Sequence, residues 1–316
     1  MESLRGEGLA AEGVTVPAGE ASKTLEQAGR LHDALLRFGM DRGSVVVGLG
    51  GGVVTDLAGF VAATYMRGTA WVAVSTSLLG QVDASVGGKT AVDHPACKNL
   101  IGVFHQPSAV LADVGALATL PDEELRTGLA EVVKHAMIRD AALLETLEAR
   151  ADAILARDAE VLEEIVAWNI RIKAEVVAQD ERESGLRRIL NYGHTIGHAL
   201  ESLSAESPEM SGGRALTHGR AVALGMMAES RIAEARGMVK RAVVARQRGM
   251  LERFGLPVGL DAAADSSRSL AILKHDKKAE AGRVRFVLPE DVGRVTVVDD
   301  VGDAEIRAAI ESLSAG

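Results

Sequence analysis

The chain has a single cysteine, Cys97, few aromatic residues and no apolar run long enough to cross a bilayer. One cysteine excludes an intrachain disulfide and a thiolate metal cluster, and it fits a reducing compartment, so we expect a cytoplasmic protein. The N-terminus lacks the apolar segment of a signal peptide, and we expect no membrane partner. Because aromatic residues make up only 3% of the chain, its core must consist mainly of Ala, Val, Leu and Ile.

The formal net charge of −9 disfavours a nucleic-acid partner, because a negative protein repels phosphate backbones. An anionic small substrate would need a local cluster of positive charge. The length of 316 residues fits two ordinary domains with sizeable cores.

The hydrophobic period changes along the first half of the chain. Apolar residues recur at helical spacing from 21 to 38, and 45-VVVGL-49 then predicts a strand covered on both faces. A glycine turn, a helix over 53–66 and a second strand over 70–75 follow. Strand, turn, helix and strand form the unit of a parallel α/β sheet.

Helical spacing dominates the second half. Three long stretches carry it, 121–138, 158–180 and 218–236. Alternation near the end predicts a small hairpin over 283–289 and 294–299, with a last helix from Asp303. We therefore expect an α/β fold with a parallel-sheet domain over 1–118 and a mostly α-helical domain over 119–316.

The triple glycine 50-GGG-52 follows the first strand and precedes a helix. Such a turn lets backbone N–H groups approach a phosphate at the positive end of the helix. It is not the GxGxxG fingerprint, because Val53 occupies the last glycine position. A tight turn that needs positive φ is the alternative. Asp56, one turn later, suits either a hydrogen bond to a nucleotide or the dipole of its own helix.

The segment 81–102 sets Asp83, Lys89, Lys98 and Asn99 among glycines and small residues. Ammonium and amide groups beside glycine turns can enclose a phosphate, because small neighbours permit close approach. The alternative is a solvated surface loop.

Histidines lie one helical turn apart in 191-NYGHTIGHALE-201, on one face of the helix that this stretch predicts. Glu131, His194 and His218 each lie in an apolar helical pattern, where an unsatisfied polar group is costly. One carboxylate and two imidazoles suit a catalytic divalent ion. Spacing alone leaves open the alternative of separately satisfied core residues.

Longer motifs carry a family resemblance in order along nearly the whole chain. They are 48-GLGGGVVTDLAGFVAATYMRG-68, 81-QVDASVGGKTAVDHPACKNLIGVFHQP-107, 129-LAEVVKHAMI-138, 180-DERESGLRRILNYGHTIGHALE-201, 218-HGRAVALGM-226 and 276-DKK-278. The chain thereby resembles the 3-dehydroquinate synthases of the sugar phosphate cyclase superfamily. The resemblance implies conversion of 3-deoxy-D-arabino-heptulosonate 7-phosphate to 3-dehydroquinate and phosphate. It also implies transient oxidation by NAD, phosphate elimination, reduction and aldol closure, with one divalent zinc or cobalt ion and a homodimer.

Matched residue by residue, the resemblance implies an NAD-binding first domain and a metal- and substrate-binding second domain. The implied metal ligands are Glu131, His194 and His218, so that His198 is not a ligand. The implied catalytic residues are Asp83, Lys89, Lys134, Lys173, Asn191 and His198. The implied substrate-binding residues are Lys89, Asn99, Lys173, Arg187, Asn191, His198, Lys277 or Lys278, and Arg67 of a neighbouring subunit. The implied cofactor residues are Glu20, Lys23, Gly51, Gly52, Asp56, Thr76, Ser77, Lys98 and Thr119.

The chain departs from the family pattern before 19-GEASK-23, where relatives usually carry several dozen residues and this sequence has eighteen. We expect a shortened first domain with weaker NAD binding and an exposed sheet edge. The alternatives are another sugar phosphate cyclase, an aminodehydroquinate synthase, a metal-dependent polyol dehydrogenase, or a non-catalytic truncated paralogue.

Overall fold

The computed structural model describes residues 1–95, 97–276 and 284–314. It divides into two compact units, Met1–Ala116 and Leu117–Gly316. The elements of the first unit are α1 (Glu2–Gly6), α2 (Leu25–Arg37), β1 (Val45–Gly50), α3 (Gly52–Thr64), β2 (Ala70–Ser75), β3 (Lys89–His94), β4 (Cys97–Phe104) and β5 (Ala109–Ala112). The predicted order of strand, glycine turn, helix and strand is confirmed by β1, α3 and β2.

The first unit contains a parallel three-stranded sheet in the order β1-β2-β5. Buried Ala62 of α3 packs with Trp71 and Ala73 of β2 on one face. The expectation that β1 is covered on both faces is wrong for the described residues. Its alternate residues Val45 and Val47 are about half exposed, because they point to the face opposite α3.

Most described residues of the segment 81–102 form secondary structure, while Lys89, Lys98 and Asn99 on it are exposed. A π-helical turn, Gly80–Ala84, leads into β3, which pairs antiparallel with β4 from Lys89↔Phe104 onward. Val92 of β3 is fully buried in a cluster with Ala28, Leu57, Phe60 and Val61. The hairpin is thus fixed to α2 and α3 by apolar contacts.

The second unit is mostly helical, as predicted. Its elements are α4 (Asp122–Arg139), α5 (Ala141–Leu155), α6 (Ala159–Gln179), α7 (His194–Glu206), α8 (His218–Ala235), α9 (Arg241–Arg253), α10 (Ser266–Asp276), β6 (Phe286–Asp291), β7 (Arg294–Val298) and α11 (Asp303–Ser312). β6 and β7 form the predicted antiparallel hairpin. The predicted α/β fold class is confirmed. Across the described ranges, no helix has the length and apolar character needed to span a membrane.

Side-chain caps explain where two helices of the second unit begin. Asp140 accepts hydrogen bonds from the N–H groups of Ala142 and Leu143 at the start of α5. Asp158 accepts one from Val161 at the start of α6. Both aspartates satisfy donors that the first turn of a helix leaves open. Asp140 and Asp158 thus mark the starts of α5 and α6.

Candidate functional site

Three helices of the second unit bring Glu131, His194 and His218 together. Glu131 lies in the middle of α4, whereas the histidines are the first residues of α7 and α8. The Nε2 atoms of His194 and His218 lie 3.5 and 3.4 Å from Oε1 of Glu131. One ligand atom from each of the three residues lies within 4.8 Å of the others. The three candidate ligands therefore share one site.

Burial and charge set the protonation of this group. The Glu131 side chain is 0% exposed and forms an ion pair with Lys134, one turn further along α4. Burial lowers the pKa of His194 well below its usual value, although Glu131 opposes the effect. Burial also lowers the pKa of His218, but hydrogen bonds to Glu131 and Glu201 outweigh it and raise that pKa to about 9.

The donor set fits a divalent ion such as Zn²⁺. Nδ1 of His194 lies 3.2 Å from the carbonyl oxygen of Tyr192, which can only accept, so this nitrogen carries a proton. The lone pair of Nε2 is then directed toward Glu131, as a metal-binding imidazole requires. One carboxylate and two imidazoles leave coordination positions for water or substrate.

His198 lies beside this group but belongs to a different set of side chains. Its exposed ring is edge-on to His194, with centroids 5.3 Å apart. Its ligand atoms lie near those of Glu201 and His218. The two histidines of 191-NYGHTIGHALE-201 therefore have different surroundings, one against Glu131 and one at the surface.

Close packing between α7 and α8 holds the two histidine-bearing helices together. Gly193, the residue before α7, has φ of 79°, a conformation that favours glycine. A Cβ on Gly225 of α8 would lie 1.8 Å from the carbonyl oxygen of Gly193. Glycine at these positions lets the two backbones touch.

A buried carboxylate from α8 completes the start of α7. The N-cap residue, Gly193, has no side chain that could accept a hydrogen bond from the first turn. Instead, Glu229 accepts hydrogen bonds from the N–H groups of Gly193 and Ile196, at 2.7 and 3.4 Å. The negative charge also complements the positive end of the helix dipole. Glu229 thereby fixes the turn that carries His194.

Tyr192 anchors the same turn to α8 and α9. Its hydroxyl donates to Oε1 of Gln247 and lies 2.7 Å from Oγ of Ser230. Burial raises the pKa of this phenol above its usual value, which keeps the donor proton in place. The hydrogen bonds satisfy a polar group that would otherwise be costly to bury.

Replacing Glu229 with glutamine is expected to lower the free energy of unfolding by about 1–3 kcal/mol, because an amide can accept through only one of its two polar atoms. Urea denaturation followed by circular dichroism measures the change. The control is Glu234→Gln on the same helix, whose partner Arg231 is partly exposed, and its effect should stay within about 0.5 kcal/mol. Equal stabilities for the two variants would contradict the capping role of Glu229.

A second group of predicted residues lies on and after α6. Lys173 in α6 and Arg187 in a 3₁₀ turn are 6% and 1% exposed. Asp180 accepts from the backbone N–H groups of Ser184, Gly185 and Arg187. These hydrogen bonds, that from Gly185 above all, hold the pKa of Asp180 well below its usual value. Asp180 therefore fixes the loop that presents Arg187.

Asn191 ends this turn, and its Nδ2 donates to Oε1 of Glu183 at 2.5 Å. Glu183 has φ of 59°, in the left-handed region that non-glycine residues seldom adopt. The loop after α6 thus carries two of the predicted substrate residues, Arg187 and Asn191.

In the first unit, the glycine turn adjoins the residues that follow β2. None of the three glycines 50–52 has positive φ, so the tight-turn alternative is wrong. Gly50 is required by packing, since a Cβ there would lie 2.6 Å from Cγ2 of Val54. A Cβ on Gly51 would lie 3.3 Å from Oγ of Ser77. No side chain caps α3 among the described residues, and the N-terminus of α3 suits a phosphate group.

A buried lysine joins several other predicted residues of the first unit. Nζ of Lys23 lies 2.6 Å from Oδ2 of Asp56 and 3.7 Å from Oε1 of Glu20, and it donates to Oδ1 of Asn99. Lys23 is 3% exposed, so its charge requires these acceptors. Asn99, predicted for the substrate, thus lies with three residues predicted for the cofactor.

Other predicted residues occupy turns and strands. Thr76 follows β2 and donates its N–H to Gly50, and Asp83 is partly buried in the π-helical turn. The exposed predicted residues are Glu20, Arg67, Lys89, Lys98, Asn99, Thr119 and His198. Two lie outside the described residues: Lys277 and Lys278.

Asp180, Glu201 and Glu229 were not predicted from the sequence, although they hold functional side chains or their helices in place. Acidic residues in helical patterns are usually solvated, so their spacing does not indicate a structural role. Asp180 had a recognisable signal, because an aspartate at the end of a helix before Ser-Gly favours backbone capping.

Family models match both parts of the chain. The 3-dehydroquinate synthase N-terminal model matches residues 13–127, and the C-terminal model matches residues 128–279. The 3-dehydroquinate synthase of Symbiobacterium thermophilum is 49% identical over 98% of this chain and 85% of its own length. That of Desulforamulus reducens is 46% identical, over 98% of this chain and 84% of its own length.

Solved structures share the fold. A 2-epi-5-epi-valiolone synthase from Streptomyces hygroscopicus, with NAD⁺ and Zn²⁺ bound, has a TM-score of 0.86 and 32% identity, over 94% of this chain and 81% of its own. A 2-deoxy-scyllo-inosose synthase complexed with carbaglucose-6-phosphate, NAD⁺ and Co²⁺ has a TM-score of 0.82 and 27% identity, over 93% and 81%. Because family models and close relatives match along nearly the whole sequence, the chain belongs to the 3-dehydroquinate synthase family.

Proposed function

We propose that the protein is a 3-dehydroquinate synthase, which converts 3-deoxy-D-arabino-heptulosonate 7-phosphate to 3-dehydroquinate and phosphate. The observation that carries the proposal is the convergence of Glu131, His194 and His218 on one site in a member of this family. Curated relatives at up to 49% identity bear the same activity in their names, and they support it over the other cyclases.

The cofactors of the proposed enzyme are NAD and one divalent zinc or cobalt ion, in agreement with the two solved relatives above. When bound, the ion lowers the pKa of a substrate hydroxyl, and NAD⁺ accepts a hydride and returns it. Glu131, His194 and His218 are the proposed ligands of the ion. Lys134 neutralises the Glu131 charge through their ion pair, which limits the cost of burying that carboxylate.

The other proposed site residues of the second unit hold a flexible anionic substrate. Arg187 is proposed for the substrate carboxylate, because a guanidinium can bind both carboxylate oxygens. Lys173 and Asn191 supply further donors, and His198, being exposed, can accept or release a proton at the solvent side. Their role is to orient the substrate and to stabilise charge as phosphate leaves.

The first unit is proposed to bind NAD and to contribute to phosphate binding. The proposed domains are 1–118 for NAD and 119–316 for metal and substrate. The proposed NAD residues are Glu20, Lys23, Gly51, Gly52, Asp56, Thr76, Ser77, Lys98 and Thr119. Asp83 is proposed to face the substrate hydroxyls. The proposed phosphate residues are Lys89, Asn99, Asn191, His198, Lys277 or Lys278, and Arg67 from a second subunit of a homodimer. We place this homodimer in the cytoplasm, where the single cysteine Cys97 would remain reduced.

The proposal is tested by mixing the purified full chain with the heptulosonate phosphate, NAD⁺ and Zn²⁺ or Co²⁺. We expect phosphate release and 3-dehydroquinate, identified by mass spectrometry, without accumulation of NADH. Reactions without NAD⁺ or with a metal chelator are the controls, and both should stop phosphate release.

Other outcomes point to the alternatives. NADH formation from simple polyols without phosphate release would identify a polyol dehydrogenase. A different cyclic product would identify another sugar phosphate cyclase. Metal binding without NAD binding or turnover would favour a non-catalytic paralogue.

A further inference from the structure

His218 contacts a carboxylate through each of its ring nitrogens. Nε2 lies 3.4 Å from Oε1 of Glu131, and Nδ1 lies 3.5 Å from Oε2 of Glu201. A carboxylate oxygen can only accept, so when an ion replaces the proton on Nε2, the contact with Glu201 keeps the remaining proton on Nδ1. The opposite nitrogen then faces Glu131, where the proposed ion binds.

The same arrangement occurs at His194 with a different acceptor. There, Nδ1 faces the backbone carbonyl of Tyr192, and Nε2 faces the same oxygen of Glu131. Both rings therefore present Nε2 to one point, one held by the backbone and the other by a side chain. Only the second of these acceptors can be removed by mutation.

Glu201 is well placed to hold a ring on a neighbouring helix. It lies on α7, three residues after His198 and two turns after His194, so its side chain projects from the same face. Its side chain is 15% exposed, whereas that of His218 is 32% exposed. Because α7 and α8 touch at Gly193 and Gly225, the helices that carry Glu201 and His218 are held close together.

We propose that Glu201 is a positioning residue that fixes the ring orientation and tautomer of His218 for metal binding. The inference rests on the metal site proposed above. Outer partners of metal-binding histidines are typically carboxylates or carbonyls, and losing one costs about 10–100-fold in metal affinity. Glu201 acts through His218 and does not itself bind the ion.

The test measures Co²⁺ affinity of the full chain by competition with a chelator, together with the visible absorption spectrum of bound Co²⁺. Glu201→Ala is expected to weaken binding by about 10–100-fold. Glu201→Gln should recover most of this loss, because its amide oxygen can still accept from Nδ1–H of His218. Glu206→Gln, at an exposed position on the same helix, should bind Co²⁺ as the unchanged protein does.

Circular dichroism verifies that every variant is folded. Unchanged affinity in Glu201→Ala overturns the inference, and so does a Gln variant that binds no better than the Ala variant, which would make Glu201 a ligand or a purely structural residue. His218→Ala tests the underlying site. If this variant also binds Co²⁺ normally, the proposed metal site fails. If it loses binding while Glu201→Ala does not, only the positioning role fails.

Discussion

Replacing His194 with alanine is expected to reduce phosphate release at least about 100-fold. Losing an outer partner of a metal ligand already costs about 10–100-fold, and losing the ligand itself should cost no less. His194 supplies one of the two imidazoles that meet Glu131. Its loss leaves a carboxylate and one ring, too few ligands to hold a divalent ion firmly. Phosphate release from the heptulosonate phosphate and the metal content of the purified variant measure the effect.

The matched control for this substitution is His32→Ala. His32 lies on α2 in the first unit, with Nε2 2.9 Å from Oγ1 of Thr64, and it belongs to neither the proposed metal site nor the proposed cofactor site. Its removal should leave metal content and turnover near those of the unchanged protein. A His194→Ala variant that kept full metal content and normal turnover would refute the proposed ligand set.

Replacing Gly225 with alanine is expected to destabilise the second unit by about 3 kcal/mol or more, because overpacking against a rigid backbone has no local relief. The added Cβ would lie 1.8 Å from the carbonyl oxygen of Gly193 and 2.8 Å from the nitrogen of Gly197. Both are backbone atoms, one in α7 and one in the residue before it. The helices α7 and α8 would have to separate, which would also move His194 away from Glu131.

Urea denaturation followed by circular dichroism measures this loss, and Co²⁺ affinity should fall with it. Gly249→Ala is the control, since Gly249 is exposed in the interior of α9 and a Cβ there meets no heavy atom within 4 Å. That change should raise stability by about 0.4–1 kcal/mol. Equal stabilities for the two alanine variants would show that α7 and α8 do not pack as described.

Local pattern predicted much of the fold. The period change at 45–75 located β1, α3 and β2, and helical spacing located α4, α6 and α8. The β3–β4 hairpin was missed because its pairing joins residues whose small and charged side chains conceal the strand alternation. The helices α5, α9 and α10 were not assigned from the sequence.

The candidate site depended on information that spacing does not contain. Residue types suggested Glu131, His194 and His218, but only tertiary packing brings three helices to one point. The approach of Gly193 to Gly225 is likewise a contact between helices, and it leaves no periodic signal. Glu201 and Glu229 resemble ordinary solvated glutamates until the facing helix is known.

The three candidate ligands come from helices that are separate along the chain, and two of the ligands are first residues of their helices. An unfolded chain therefore offers no comparable set of donors. Binding of an ion is thus coupled to folding of the second unit, and the free energy gained grows with the logarithm of the free ion concentration. Chelation would shift this equilibrium toward the unfolded state without breaking a covalent bond.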